Sequence, residues 1–97
     1  MSLPVVLIPE AEAEFDAAAD WYEARGGLGA EFTTHVREVL IRIGQMPGIS
    51  AVIDRRVRRA KVRRFPYNIF YQVDDDRVEV IAVLHGSRHP SIWKSRA

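Results

Sequence analysis

The fold of this chain is decided by one stretch near its C-terminal end, Val78-Glu79-Val80-Ile81-Ala82-Val83-Leu84-His85. Apolar and mostly β-branched side chains occupy both faces that a strand of this sequence would present. By strict alternation the two apolar sets are Val78, Val80, Ala82 and Leu84 on one face and Ile81 and Val83 on the other. A strand that is apolar on both faces is typically central, covered above and below or at least paired on both edges. The pattern therefore predicts an internal strand from Arg77 to His85.

The alternating pattern continues upstream of this strand and predicts a meander. A hairpin turn at Asp74-Asp75-Asp76 leads back to a strand over Asn68 to Asp74, and a basic strand over Arg58 to Phe65 comes before that. We expect these three strands to pair antiparallel. The short apolar stretch from Leu3 to Ile8 reads as a first strand and supplies the second neighbour of the Arg77 to His85 strand.

Two amphipathic helices separate the first strand from the meander. One begins at Pro9 and ends after Arg25, where a Gly-Gly-Leu-Gly turn follows, and the second runs from about Ala30 to Met46. The turn is short, so the helices form an antiparallel hairpin. Ile49 to Asp54 reads as a loop that can hold a short strand. The expected fold is one α+β domain over residues 1–97, ordered β-α-α-β-β-β, with the helix hairpin on one face of a mainly antiparallel sheet.

Composition excludes several classes of function. The chain has no cysteine, which removes disulfides, thiolate catalysis and cysteine-ligated zinc and fits a reducing compartment. Its longest apolar run, Val80 to Leu84, is too short to span a membrane, and the N-terminal residues lack signal-peptide features. We therefore expect a cytoplasmic protein without a membrane partner. Gly86 and Pro90 interrupt any helix that would align His85 with His89, so we expect no metal site and no cofactor.

Charge is divided unevenly along the sequence. Residues 1–50 hold eight acids and three bases, whereas residues 51–97 hold eleven bases and five acids. Within Arg55 to Arg64 seven of ten positions are cationic and none is acidic. Such a run is self-repulsive, and a polyanion or an acidic protein segment would relieve the repulsion on binding. The basic segment Arg55 to Arg64 is therefore a candidate binding surface, with a solvated strand face as the alternative.

The same half of the chain carries the residue types for cleaving RNA without a metal. That reaction needs a base for the 2′-hydroxyl, a cation for the phosphate and an acid for the leaving oxygen. Three arginines supply the charge, and two histidines and a tyrosine can handle protons. These residues are Arg63, Arg64, Arg88, His85, His89 and Tyr67. Surface arginines around a core tyrosine would give the same composition, so both interpretations stay open.

Three segments carry a family resemblance. The first is Val62-Arg63-Arg64-Phe65-Pro66-Tyr67-Asn68-Ile69-Phe70-Tyr71-Gln72-Val73. The second is Val78-Glu79-Val80-Ile81-Ala82-Val83-Leu84-His85-Gly86-Ser87-Arg88-His89-Pro90, which Trp93 follows. The third is Asp20-Trp21-Tyr22-Glu23, with a Gly-Leu-Gly turn and Phe32 after it. Together, over about residues 4–96, the chain resembles the RelE/ParE family of toxins from type II toxin–antitoxin modules, whose fold is a compact α+β domain.

The resemblance implies a toxin of the plasmid-stabilisation or addiction type. It implies that a cognate antitoxin binds and neutralises the chain, in a toxin–antitoxin hetero-oligomer. ParE-like members are implied to inhibit growth through DNA gyrase, without a recognised catalytic constellation. RelE-like members are implied to cut messenger RNA in the ribosome, with arginines and lysines of the sheet and a C-terminal tyrosine.

Two positions favour the ParE-like branch. Asn68 stands where RelE-like members carry an arginine, and Trp93 takes the place of the C-terminal tyrosine, whereas Arg88 matches the family's later arginine. A RelE-like ribonuclease is the alternative, so whether the chain is an enzyme stays open, and an inactive relative that binds antitoxin or nucleic acid is a second alternative. The candidate catalytic residues of the ribonuclease alternative would be Arg63, Arg64, His85 and Arg88. The residues expected to contact the antitoxin or the target are Arg58, Arg59, Lys61, Arg63, Arg64, Tyr67, Arg88 and Trp93.

Overall fold

The computed structural model describes residues 2–97, and its elements follow the predicted order with two short additions. The elements are β1 (Val5–Leu7), α1 (Pro9–Ala24), α2 (Gly29–Gln45), β2 (Val52–Asp54), β3 (Val57–Lys61), β4 (Tyr67–Val73), β5 (Val78–His85) and α3 (Ser91–Lys94). The additions are β2, a short strand in the stretch Ile49 to Asp54, for which the sequence predicts a loop able to hold one, and α3, in the C-terminal tail. The α+β class and the β-α-α-β-β-β order are confirmed. No helix within residues 2–97 is long and apolar enough to cross a membrane.

One five-stranded sheet, in the order β1-β5-β4-β3-β2, forms the centre of the fold. The meander pairs antiparallel as predicted, and β1 is the second neighbour of β5. The β1–β5 pair is parallel, so the sheet is mixed. The basic strand ends at Lys61 rather than Phe65, because the chain turns back over residues 62–66, where Arg64 adopts a left-handed conformation with φ 68°.

A β-bulge in β5 changes which face of the sheet its side chains occupy, compared with the strict alternation expected from the sequence. Phe70 pairs with Ala82 and the next residue, Tyr71, pairs with Val80, so Ile81 is an extra residue. One inserted residue reverses the alternation beyond it. The expectation that Val78, Val80, Ala82 and Leu84 share a face is therefore wrong. Val78, Val80 and Val83 lie in the core that α1 and α2 cover, whereas Ile81, Ala82 and Leu84 lie in the core on the other face.

The second face of the sheet is covered by the C-terminal tail. Trp93 of α3 stacks on Phe70 of β4 with ring centroids 5.0 Å apart and planes inclined by 14°. Only 7% of Trp93 is exposed, so the tail folds back with this residue as its anchor, as predicted. The double-sided apolar character of β5 follows from this arrangement, since helices pack on one side and α3 on the other.

The helix hairpin depends on a close contact at Gly29, the first residue of α2. A Cβ atom at this position would lie 2.8 Å from Glu23 Cβ and 2.9 Å from the Ala19 carbonyl oxygen, so α1 leaves no space for a side chain. The Gly29 backbone N–H donates to Glu23 Oε1 at 3.1 Å, which provides a partner for one of the free amides at the start of α2. Gly27, with φ 67°, makes the turn between the helices.

Candidate functional site

A cluster of aromatic rings fixes the segment that the sequence analysis singled out. Phe65 and Tyr67, on either side of Pro66, both pack edge-to-face on Phe32 of α2, with ring centroids 5.1 Å apart in each pair. Tyr22 of α1 contacts the same two rings at 4.8 and 6.0 Å. Because these rings belong to both helices and to the start of β4, they hold the turn before β4 against the helix hairpin.

A cleft opens beside this cluster, between α1 and the free edge of β5. Its origin is the short length of β1: the Ile8 N–H donates to the Val80 carbonyl, and beyond that point β5 has no strand partner on this side among residues 2–97. The cleft has a volume of about 390 Å³. Its lining residues are Glu14, Ala17, Ala18, Trp21, Tyr22, Tyr67, Val83, Leu84, His85 and Arg88. We refer to it as the α1–β5 cleft.

Three predicted site residues come together in the α1–β5 cleft. The rings of Tyr67 and His85 lie 5.4 Å apart. His85 Nδ1 accepts the Ser87 backbone N–H at 3.0 Å and lies 2.8 Å from Ser87 Oγ, so the proton of the neutral ring is on Nε2. Arg88 is exposed and makes no ion pair within residues 2–97. Burial, and secondarily the nearby Tyr22, raise the pKa of Tyr67, and Arg88 partly opposes this shift.

The opposite end of the cleft contains an ion pair that the sequence analysis did not anticipate. Glu14 and Arg96 are joined by two hydrogen bonds of 3.0 and 2.9 Å, and this contact raises the pKa of Arg96. Glu14 also accepts the Val83 N–H at 3.1 Å, and Arg96 donates to the Ile81 carbonyl at 2.9 Å. The pair therefore occupies the backbone groups of β5 that β1 is too short to reach. Glu14 is three residues after Ala11 and four before Ala18, and this spacing is the signal in the sequence that could have placed it on the buried side of α1.

The basic segment Arg55 to Arg64 does not form one continuous surface. Arg58 donates to the Ser50 carbonyl at 2.6 Å, on the helix side of the sheet, and is used to hold the loop before β2. Arg56 pairs with Asp74 at 2.6 Å, and Arg64 lies 3.8 Å from Glu31. These three arginines are therefore already engaged within the chain.

Two other cations of the segment share the opposite face of the sheet. Arg59 and Lys61 pair with Phe70 and Asn68 in the register of β3 and β4, which places them on the α3 side. Both are exposed, and neither forms an ion pair within the described residues. They line a shallow depression of about 470 Å³ together with Pro66, Tyr67, Asn68 and Gly86. We call the surface of Arg59, Lys61 and Asn68 the basic face.

The remaining candidates lie outside both regions. Arg63 is exposed in the turn before β4 and lines neither the cleft nor the depression. His89 is at the start of α3, where its Nδ1 accepts the Ser91 N–H at 3.1 Å. Trp93 is buried against Phe70, so its side chain presents little surface. Within residues 2–97 no three histidine, aspartate or glutamate side chains are close enough to hold a metal ion.

Comparison with known proteins identifies the family of this fold. The family model described as "ParE toxin of type II toxin-antitoxin system, parDE" matches residues 5–90. Among solved structures, the chain is similar to one described as "Chromosomal ParDE TA system from P. aeruginosa", with a TM-score of 0.76 and 17% identity over 87% of this chain and 96% of that one. Comparison with curated proteins gives no match. Because the family match covers most of the chain, this protein belongs to the ParE toxin family of type II toxin–antitoxin systems.

Proposed function

We propose that the chain is the growth-inhibiting member of a plasmid-stabilisation type module, that it acts on DNA gyrase in the cytoplasm, and that a cognate antitoxin neutralises it. The match of residues 5–90 to the ParE toxin family is the observation that carries this proposal. Two side chains support the choice of gyrase over RNA. Asn68 leaves the basic face without a third cation, and Trp93 is enclosed by the core and has no ionisable hydroxyl.

The basic face is the surface we assign to the antitoxin. Arg59 and Lys61 have no carboxylate partner within the described residues, and both lie on the side of the sheet that α1 and α2 leave uncovered. An acidic segment laid across β3 and β4 would supply the missing counter-charges. Toxin and antitoxin would then form a hetero-oligomer whose stability decreases as salt increases.

A plasmid-supercoiling assay tests the target. The purified chain is expected to block supercoiling by gyrase, and addition of the co-purified antitoxin should restore it. The double variant Arg59→Glu with Lys61→Glu should lose antitoxin binding, whereas Arg37→Glu with Arg42→Glu, an equal charge change on exposed positions of α2, should retain it. Undiminished supercoiling at toxin concentrations that arrest growth would contradict the gyrase assignment.

A ribonuclease is the second candidate function, and the convergence of Tyr67, His85 and Arg88 in the α1–β5 cleft favours it. These side chains provide a phenol, an imidazole with its proton on Nε2 and a free guanidinium, which are the groups that metal-independent cleavage of a phosphodiester needs. Primer extension on transcripts, after induction with ribosomes present, distinguishes the two functions. New 5′ ends that disappear with His85→Ala would establish the ribonuclease, and intact transcripts would exclude it.

An inactive relative that only binds an antitoxin or nucleic acid is the remaining interpretation of family membership. Expression of the chain without its antitoxin separates this case from the other two. Growth arrest would exclude the inactive relative, and normal growth with folded protein present would exclude both active functions.

A further inference from the structure

The polar end of the α1–β5 cleft is built from hydrogen-bond donors. Burial raises the pKa of Tyr22 and of Tyr67, so both phenols keep their protons, and neither hydroxyl bonds to another group within residues 2–97. The rings of Tyr22 and Tyr67 lie 6.0 Å apart, and Arg88 lines the same cleft. His85 adds an Nε2–H, because its Nδ1 is occupied by Ser87. Four donor side chains from α1, β4, the end of β5 and the loop after it therefore converge on one space.

The charge of this space is not cancelled from within the cleft. Among the described residues that line the cleft, Glu14 is the only one with a carboxylate. Both Glu14 oxygens are bonded to Arg96, and one of them also accepts the Val83 N–H. Arg88 has no carboxylate partner in the described chain. Donors without a counter-ion favour an anion with several acceptor oxygens.

The other wall of the cleft is apolar and includes an aromatic ring. Ala17, Ala18 and Trp21 line it from α1. Trp21 is 49% exposed, and the Arg25 guanidinium lies over its ring, 4.5 Å from the centroid. The volume, about 390 Å³, lies within the range of pockets that hold small molecules. An occupant that satisfies both ends carries an anionic group on a planar apolar body.

We propose that the α1–β5 cleft binds a nucleoside monophosphate, with the phosphate at Arg88, His85 and the two tyrosines and the base against Trp21. A phosphate monoester presents three terminal oxygens with up to two negative charges, which suits donors that approach from several directions. A base offers a flat face for aromatic packing. The proposal requires binding alone and does not depend on cleavage of RNA, although it uses Tyr67, His85 and Arg88, which are also the side chains of the ribonuclease candidate.

Two-dimensional NMR of the full chain tests the proposal, because the two tryptophans give two indole N–H signals. On titration with adenosine 5′-monophosphate the Trp21 signal should shift and saturate, while the signal of buried Trp93 stays in place. Adenosine and inorganic phosphate, each tested alone, should bind at least about tenfold more weakly, since each lacks one half of the contacts. N-acetyltryptophan tests whether a carboxylate on an aromatic body serves instead.

Two variants distinguish binding in the α1–β5 cleft from nonspecific attraction of anions to surface arginines. Arg88→Ala should weaken binding of the monophosphate by about tenfold or more, the loss expected for one charge-assisted contact. Arg37→Ala, which removes an exposed arginine of α2, should leave the affinity unchanged. The absence of a Trp21 shift, equal binding of phosphate alone, preference for N-acetyltryptophan, or equal losses in the two variants would each overturn the proposal.

Discussion

Glu14 and Arg96 are separated by 82 positions in the sequence and meet at the edge of β5. The carboxylate accepts the Val83 N–H and the guanidinium donates to the Ile81 carbonyl, at 3.1 and 2.9 Å. Side chains here replace a neighbouring strand, because β1 ends at Leu7 and cannot reach this part of β5. The pair thus joins the first helix, the bulged strand and the C-terminal tail.

Removing one member of this pair should destabilise the protein. Glu14→Ala leaves the Arg96 guanidinium and the Val83 N–H without their partner, in surroundings where each side chain is about one-fifth exposed. We expect a loss of about 1–3 kcal/mol in the free energy of unfolding, measured by urea denaturation. Glu12→Ala, on the exposed side of the same helix, should change it by less than about 0.5 kcal/mol. Equal effects of the two substitutions would show that the pair contributes no more than a surface contact.

The two tryptophans should differ in their contribution to stability. Trp93→Ala removes the ring stacked on Phe70 and opens the core under α3, so we expect a loss of about 3–5 kcal/mol. Trp21→Ala removes a half-exposed ring and should cost less than about 1 kcal/mol. Thermal melting of both variants checks the difference, and a Trp93→Ala melting curve that matches the wild type would contradict the burial of this side chain.

Neighbouring arginines of β3 should have different roles. Arg58→Ala releases the carbonyl of Ser50 and should lower stability by about 1–2 kcal/mol. Arg59→Ala should stay within about 0.5 kcal/mol of the wild type in stability, yet weaken antitoxin binding and reduce its dependence on salt. Denaturation and binding measured over a range of salt concentrations check both. If Arg58→Ala instead weakened antitoxin binding and Arg59→Ala lowered stability, the antitoxin-binding surface would lie on the helix side of the sheet.

Substitution by alanine should have opposite effects on stability at two glycines, Gly29 and Gly48. Gly29→Ala forces a methyl group into the backbone of α1 and should destabilise the protein by about 1–3 kcal/mol or more. Gly48→Ala meets nothing within 4 Å and should be neutral or slightly stabilising, since alanine restricts the unfolded chain. Chemical denaturation of both variants provides the test. A well-tolerated Gly29→Ala would mean that the helices can separate without cost.

Alkaline pH should destabilise the fold through two tyrosines. Burial raises the pKa of Tyr22 and Tyr67 above the ordinary value of 10.0, so the folded state holds these protons more tightly than the unfolded state. The contribution of these two buried phenols to stability is fully present below pH 10.0 and is lost as the pH rises through their folded-state pKa values. Urea midpoints followed into this range should fall less steeply in Tyr67→Phe than in the wild type. Parallel curves would show that Tyr67 ionises as freely when folded as when unfolded.

Much of the fold follows from periodicity, whereas the bulge does not. The two apolar faces of β5 predict an internal strand, and the adjacent hairpin predicts its antiparallel neighbour, because both depend on local alternation. The extra residue Ile81 leaves no mark in the sequence, since every residue around it is apolar. The face of the sheet that each side chain beyond the bulge occupies therefore depends on how Phe70 and Tyr71 pair with β5.

The candidate site was accessible from the sequence only in part. Residue types identified Tyr67, His85 and Arg88, but their convergence depends on the register between β4 and β5 and on the turn after Lys61. The density of positive charge identified the basic segment but not the face of the sheet on which each of its side chains lies. Alternation along β3 already separates Arg58 from Arg59, although the hydrogen bond from Arg58 to a loop carbonyl is a long-range contact that composition does not encode.

The parallel pairing of β1 with β5 has a consequence for biosynthesis. Val5 pairs with Val78, so the N-terminal strand finds its neighbour only after most of the chain has left the ribosome. Contacts this distant in sequence slow the search for the native state. The helix hairpin can form early, but its apolar side lacks the sheet that covers it until translation is nearly complete. The surfaces that depend on the complete sheet, the α1–β5 cleft and the basic face, therefore form last.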